Sequence, residues 1–354
     1  MSTKEEVLNL LNMNKGSFIS GQDIAGRLNV SRAAVWKAIK ALEGDGCEIE
    51  AVTNKGYRLK APADIIDPSY IEGRLDSLGL KVKVIFKEET GSTNEDAVAA
   101  LRESECPVLI IADKQNAGRG RKGRDFYSPK GSGLYMSLAM HDAMNLMKTV
   151  KVTSVAAVAV AEAIDETVFY GENRALIKWV NDIYIGEKKV CGILSEAMIS
   201  MKDGDGGCVV VGIGINVYEP GGGFPQDISN KAGYLIGTED GLKEIAEDRP
   251  KEMTKDSRKN IKKGHLRSDL AAAVIRNFYK YMKDPEGSLK IYRDRSNLIG
   301  NYVTVNSFVP GDKRAGMRAL VKGIDDECGL MVEYEDGQND SLTSGEVSVL
   351  KSQT

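Results

Sequence analysis

Histidine is nearly missing from this chain: His141 and His265 are the only two among 354 residues. A catalytic triad or a histidine-rich metal centre has little to be built from, so the chemistry must run largely without imidazole. Cysteine is also sparse. Cys47, Cys106, Cys191, Cys208 and Cys328 are widely spaced, odd in number and form no CxxC pair, which argues against a disulfide framework and a zinc site. They read as small buried hydrophobes. No apolar run approaches the length of a bilayer crossing. The opening residues, MSTKEEVLNL, carry acids and lack the basic flank of a secretory signal. The expected location is the cytoplasm, with no membrane partner. A large charge excess is missing too. Net charge is −3, and residues 1 to 60 hold nine Lys or Arg against seven Asp or Glu, a +2 balance that does not by itself establish nucleic-acid binding.

What is present suits ordinary cores. With 42% hydrophobic residues, a chain of this length is expected to form two or three domains of a soluble globular protein. Thr3-Lys-Glu-Glu6 reads as a capping box opening a helix with Val7, Leu10 and Leu11 inward. Ser20-Gly-Gln-Asp23 is a second box, leading into a short helix with Ile24 and Leu28 inward and a turn at Asn29-Val30. Ser31 caps a third, SRAAVWKAIKALEGDG, in which Val35, Ile39 and Leu42 recur at helical spacing and Gly44 and Gly46 bring it to a stop. CEIEAVTNKGYRLKA then alternates around Thr-Asn-Lys-Gly as a hairpin does. Three helices and a hairpin over residues 1–62 predict a winged helix-turn-helix, with a plain helical interaction module as the competing reading. Arg32 and the small pair Ala33-Ala34 stand where a recognition helix approaches base edges. Lys37 and Lys40 continue that helix, and Lys55 and Arg58 place cations on the wing for phosphates.

From residue 64 to 285, strands such as PVLIIAD and CVVVGIGINV alternate with helical stretches such as VTSVAAVAVAEAIDETV. This predicts an α/β domain with one large sheet, the expected catalytic body. Within it, residues 239–268 are almost wholly charged and polar and read as an exposed insertion, helical or disordered. Over 288–354 the runs YVTV, RALVKGI, LMVEYEDG and SGEVSVL, separated by glycine and acidic turns, predict a small β-barrel.

Residues 118–124, GRGRKGR, begin with the glycine spacing of a dinucleotide-binding turn. Such a turn must lead straight into a helix whose amino end meets a pyrophosphate. Here RDFYSPKGSGLYMSL follows, and Pro129, Gly131 and Gly133 oppose a helix. Arg119, Arg121, Lys122 and Arg124 instead suggest an anion held by side-chain charge. The empty loop is expected to be mobile, because its cations repel and its glycines add no stiffness. Ordering each residue costs roughly 1 to 2 kcal/mol and a charge-assisted hydrogen bond returns about 1.5 to 3, so several contacts to one anion act together.

This loop, GSTN at 91–94, KWVNDIYIGEKKVCGILSE and GIGINV at 212–217 resemble, in order, the signature segments of biotin protein ligases. The winged helix with SRAAVWKAIKAL resembles the members that double as biotin operon repressors, and SGEVSVL their third domain, a small SH3-like barrel. The resemblance implies a central mixed α/β ligase domain. Its reaction joins biotin to ATP, giving biotinyl-5′-adenylate and pyrophosphate, then passes biotin to a lysine on the biotin carboxyl carrier domain of a biotin-dependent carboxylase. Mg²⁺ is implied on the phosphates, with no fixed protein ligands. Operator DNA is the implied second partner, bound by a homodimer that forms with the adenylate.

By the same resemblance Ser92, Thr93, Asn94 and Gln115 bind biotin's ureido ring, with Gly120, Gly192 and Gly212 allowing close approach and Ile193 and Leu194 lying against the ring and chain. Arg119 and Arg121 line the biotin and adenylate site, and Lys122, Arg124, Phe126, Asn181 and Asn216 join them around the nucleotide. Lys189 contacts the biotin carboxylate and α-phosphate region. Adjacent lysines on a strand face opposite ways, and the family spacing to Gly192 selects Lys189 over Lys188, solvent exposure of both being the competing reading. Asp182 is the carboxylate expected to assist the acceptor lysine. The expected catalytic set is thus Arg121, Lys189 and Asp182. The chain departs from the family at Gly91 and Phe126, where Asp and Trp are common, and at Val180, where proline is usual, which bears on loop rigidity and adenylate packing. Two other readings are a lipoate or octanoate transferase and a non-catalytic biotin-sensing transcription factor.

Overall fold

A computed structural model describes residues 3–14, 17–44, 47, 49–59, 64–141, 149–198, 207–236, 265–306 and 312–349. They divide into two units, the first holding the chain through Asp67 and the second nearly all that follows.

The first unit has three helices, α1 (Thr3–Met13), α2 (Gly21–Leu28) and α3 (Arg32–Gly44), and a hairpin of β1 (Ile49–Val52) and β2 (Gly56–Leu59). Helix α1 already includes Thr3, so that threonine stands inside the first turn rather than capping it. The other two boundaries form as their capping residues dictate. Ser20 accepts from the Asp23 amide, Asn29 closes α2 in the left-handed conformation, and Ser31 accepts from the Ala34 amide at 3.1 Å. Val7, Leu11, Ile24, Val35, Ile39 and Leu42 meet in one core, with Leu10 and Leu28 partly buried at its margin.

The second unit is built on a seven-stranded sheet of order β3-β4-β5-β9-β8-β7-β6. Its strands are β3 (Lys83–Lys87), β4 (Val108–Ala112), β5 (Gly133–His141), β6 (Ala175–Lys178), β7 (Asp182–Ile185), β8 (Lys188–Met198) and β9 (Cys208–Asn216). Only β3 and β4 pair in parallel. Helices α4 (Pro68–Asp76) and α5 (Thr93–Leu101) precede β3 and β4. Helix α6 (Thr149–Thr167) packs on β6, β7 and β8 and is apolar on nearly every side, from Val152 to Ile164, as a helix enclosed by other elements must be.

Helices α7 (Leu266–Met282) and α8 (Pro285–Asp294) lead to an antiparallel sheet of order β13-β12-β11-β10-β14, the architecture expected of the third domain. Its strands are β10 (Tyr302–Asn306), β11 (Arg318–Ile324), β12 (Leu330–Tyr334), β13 (Asn339–Leu342) and β14 (Glu346–Val349). Most of the charged stretch 239–268 lies outside the described residues. Its end departs from the expected exposed insertion. Leu266 begins α7, and Arg267 and Ser268 are buried, because Arg267 pairs with Asp64 at 3.1 Å and Ser268 Oγ donates to the Ile65 carbonyl at 2.9 Å.

Candidate active site

The register of the large sheet decides which side chains share a face, since directly opposed residues point the same way and the pattern repeats every second residue. Asp182 opposes Gly192, Gly192 opposes Gly214 and Gly214 opposes Tyr135; the next row runs Leu194, Gly212, Ser137. Three glycines therefore leave a bare strip along β8 and β9. What covers the strip is specific. A Cβ on Gly214 would stand 2.5 Å from the Phe126 ring, one on Gly192 would meet Lys189 Nζ at 3.3 Å, and one on Gly212 would collide with Asn94. Asn216 continues this face and donates to the Gly233 carbonyl at 2.9 Å. Leu194 shares the face, but Ile193 does not. One position along the strand, it is 2% exposed on the opposite side, so the expected contact of Ile193 with biotin is corrected by strand alternation.

At one end of the strip the amino terminus of α5 supplies a buried polar cluster. Ser92, Thr93, Asn94 and Ser137 are all buried. Gln115 Oε1 accepts from the Thr93 amide at 2.9 Å and from its hydroxyl at 3.0 Å. Ser137 Oγ lies 2.7 Å from Thr93 Oγ1 and 2.6 Å from Asn94 Oδ1, and Asn94 Nδ2 donates to Glu196 at 2.8 Å. Ser92 begins the helix without making a side-chain cap bond. Fixed donors and acceptors of this density suit a neutral polar ring. Ser137 and Glu196 were not anticipated, because they reach Thr93 and Asn94 only through pairing distant in sequence.

At the other end Lys189 Nζ stands 2.6 Å from Asp182 Oδ1. Arg121 reaches Asn181 Oδ1 at 3.4 Å, and Asn181 Nδ2 donates to the Ile193 carbonyl at 2.8 Å. Burial lowers the Arg121 pKa, partly opposed by Asp182. Lys178, opposite Asp182 on β6, is lowered by burial in the same way. This lysine was missed, although it immediately precedes the WVND segment. Lys188 turns away and donates to the Ser229 and Asn230 carbonyls at 3.2 and 3.0 Å. The chosen lysine is therefore the one on the site face.

The basic loop does not enter a helix; a single 3-10 turn, Arg121–Gly123, interrupts it. Nor are its cations left to repel one another, as the expectation of a mobile loop assumed. Arg124 makes two hydrogen bonds to Glu346 at 3.1 and 2.7 Å, Lys122 lies 3.8 Å from the same carboxylate, and Arg119 pairs with Glu95 on α5. Gly120 and Phe126 amides donate to the Arg124 and Gly118 carbonyls, closing the loop on itself. Acids distant in sequence neutralise the cations. Arg119 accordingly lies toward α5, while Arg121 reaches Asn181, the neighbour of Asp182. Glu346 is lowered by its bond to Arg124.

The segment carrying Lys178 to Asp182 is held by helix α8 and by the turn between β11 and β12. Trp179 Nε1 donates to the Cys328 carbonyl at 2.9 Å, and the buried Tyr292 hydroxyl donates to the Val180 carbonyl at 3.0 Å. The Trp179–Val180 peptide is cis. Among the described residues no three of His, Cys, Asp and Glu come together to hold a metal ion.

In the first unit, Arg32, Ala33, Lys37 and Lys40 are exposed along α3, with Ala34 partly buried. Lys40 pairs with Glu43 at 2.6 Å. On the wing Lys55 is exposed, whereas Arg58 pairs with Glu50 and lies 4.5 Å over the Phe18 ring.

Known proteins share these three parts. Residues 86–216 match the biotin/lipoate A/B protein ligase family, residues 3–58 an HTH domain, and residues 299–350 the biotin protein ligase C terminal domain. The bifunctional ligase/repressor BirA of Bacillus subtilis is 37% identical over 234 residues, 66% of this chain and 70% of that protein. Its counterpart in Escherichia coli is 28% identical over 337 residues, 94% of each. The biotin protein ligase from Aquifex aeolicus, solved in complex with biotin and ATP, has the same fold, with a TM-score of 0.55 at 24% identity over 76% of this chain and 99% of that one. No helix among the described residues is long and apolar enough to cross a membrane. The chain belongs to the family of the bifunctional ligase/repressor BirA, within the biotin/lipoate A/B protein ligases.

Proposed function

We propose that this chain is a cytoplasmic biotin protein ligase that also represses transcription. The observation that carries the enzymatic half is the placement of Lys189, Asp182, Arg121 and Asn181 at one end of a glycine strip whose other end carries the uncharged side chains of Thr93, Asn94, Gln115 and Ser137. A carboxylated vitamin laid along the strip would put its ring against Thr93, Asn94 and Gln115 and its carboxylate beside Lys189.

Biotin's carboxylate is ionised at neutral pH and serves as its own nucleophile, so the first step needs no general base. A carboxylate oxygen bonds to the α-phosphorus of ATP while the bond to the β-phosphate breaks, and pyrophosphate leaves with that electron pair. A Mg²⁺ ion carried in with ATP would offset phosphate charge, without fixed protein ligands. Lys189 and Arg121 hold the two anions together and stabilise the charge that develops, and partial exclusion of water around Arg121 strengthens its effect. In the second step the neutral amine of a carrier lysine attacks the anhydride carbonyl and AMP departs. Lys189 engaged with the adenylate releases Asp182 to accept the acceptor lysine's proton.

The repressor half rests on the first unit, whose exposed α3 cations face outward in a helix-turn-helix. The adenylate is expected to favour a homodimer that presents two winged helices to operator DNA. Sedimentation with and without biotin and ATP tests this; a monomer in both conditions contradicts the coupling. Pyrophosphate–ATP isotope exchange tests the ligase. Exchange dependent on biotin is expected, and exchange that answers instead to lipoate would replace this reading by a lipoate ligase.

A further inference from the structure

The largest apolar side chain turned to solvent on helix α3 is Trp36, 56% exposed. Helix α3 spends Val35, Ala38, Ile39 and Leu42 on its core. Trp36 lies one turn beyond Arg32 and one turn before Lys40, with Ala33 three residues back, so these four side chains are neighbours on the helix surface. An indole left in water forgoes burial that most tryptophans obtain. Among the described residues, the core of the first unit forms without Trp36.

We propose that Trp36 is a base-reading residue that contacts thymine in the major groove. The inference rests on the DNA-binding half of the function proposed above. The neighbouring cations favour a polyanion over an apolar protein surface, because a protein partner would have to desolvate Arg32, Lys37 and Lys40 to reach the ring. A small residue at Ala33 lets the helix approach closely. Indole offers one hydrogen-bond donor and a broad apolar edge. Thymine is the base whose major-groove edge presents both an acceptor, O4, and a methyl group. The pairing of a donor-only apolar side chain with that edge is complementary in both respects.

The experiment uses the full chain with biotin and MgATP to select duplexes from a random-sequence pool, followed by affinity measurements on the selected duplex with thymine or uracil at each enriched position. Uracil keeps O4 and lacks the methyl. At one thymine position, removal of the methyl is expected to weaken wild-type binding about fourfold, the worth of one buried methyl group. The Trp36→Ala chain is expected to bind the thymine duplex more weakly and to treat thymine and uracil alike there, with thermal unfolding checking that the variant is folded. Trp36 and Trp179 are the only tryptophans, and Trp179 is 4% exposed, so iodide quenching of fluorescence reports chiefly Trp36 and should fall when the duplex binds. Selection that succeeds but yields no position where wild type and Trp36→Ala differ in thymine–uracil discrimination overturns this inference and leaves DNA binding standing. Protection of Trp36 by biotin and MgATP without DNA also overturns it, in favour of a protein contact. Failure of the wild-type chain to enrich any duplex removes the DNA-binding reading itself and this inference with it.

Discussion

Lys189 Nζ lies 2.6 Å from Asp182 Oδ1 across β7 and β8, on the face where Gly192 and Gly214 leave no side chains between them. A partly exposed ion pair of this kind adds little stability, so its placement matters more than its strength. Lys189→Ala is expected to lower biotin-dependent pyrophosphate exchange by about 10²- to 10³-fold, the usual scale for removing one group that stabilises transition-state charge. Asp182→Asn should leave that exchange largely intact and slow transfer to the carrier lysine. Equal loss of both steps in Asp182→Asn would contradict the division of roles.

The glycine strip is sterically committed. Gly212→Ala places a methyl group on Asn94, whose amide is tied to Ser137 and Glu196, and Gly214→Ala meets the Phe126 ring. Overpacking of this kind costs about 1 to 3 kcal/mol. Gly212→Ala should raise the Kd for biotin with little change for ATP, and Gly214→Ala the reverse. Isothermal titration with each ligand separates the two.

Much of this arrangement was legible in the chain itself. Ser20 and Ser31 mark their helices because a hydroxyl three residues before a free amide has one obvious partner. The choice of Lys189 over Lys188 came from the family spacing to Gly192; strict alternation from Gly192 would have favoured Lys188, and it is the irregular register of β7 against β8 that turns Lys189 to the site face. Ile193 could have been excluded from the sequence, since between Gly192 and Leu194 on one strand it must face the other way. What local pattern cannot supply is pairing at long range. Glu346 is separated by 222 residues from the Arg124 it neutralises, and no periodicity links them. Lys178 could have been found, since a two-residue count back from Val180 puts it on a strand opposite Asp182.

Glu346 ties the basic loop to β14, and its pKa is lowered by the Arg124 bond. A carboxylate depressed by folding contributes stability that is complete above its ordinary pKa of 4.5 and is lost as pH falls through the lowered value. The pair is partly solvent-exposed, so about 0 to 1 kcal/mol is expected from it. Glu346→Gln should therefore flatten the acid limb of thermal stability slightly and free Arg124. Limited proteolysis of the loop in Glu346→Gln should quicken, and biotin with ATP should restore protection. Unchanged cleavage would show that the loop's backbone bonds suffice.

Tyr292→Phe removes the donor from a buried carbonyl at Val180. An unsatisfied buried acceptor costs about 1 to 3 kcal/mol, and thermal unfolding should register the loss. Because that carbonyl lies between Trp179 and Asn181, kcat for adenylation should fall more than affinity for biotin. A change in stability alone would make Tyr292 a packing residue.

The most direct test of the central claim is the mass of a biotin carboxyl carrier domain after incubation with this chain, biotin and MgATP. One biotinyl group added to a single carrier lysine, abolished by Lys189→Ala and not replaced by lipoate, is the expected result. A carrier domain of unchanged mass, with the chain folded and both small molecules bound, would contradict it.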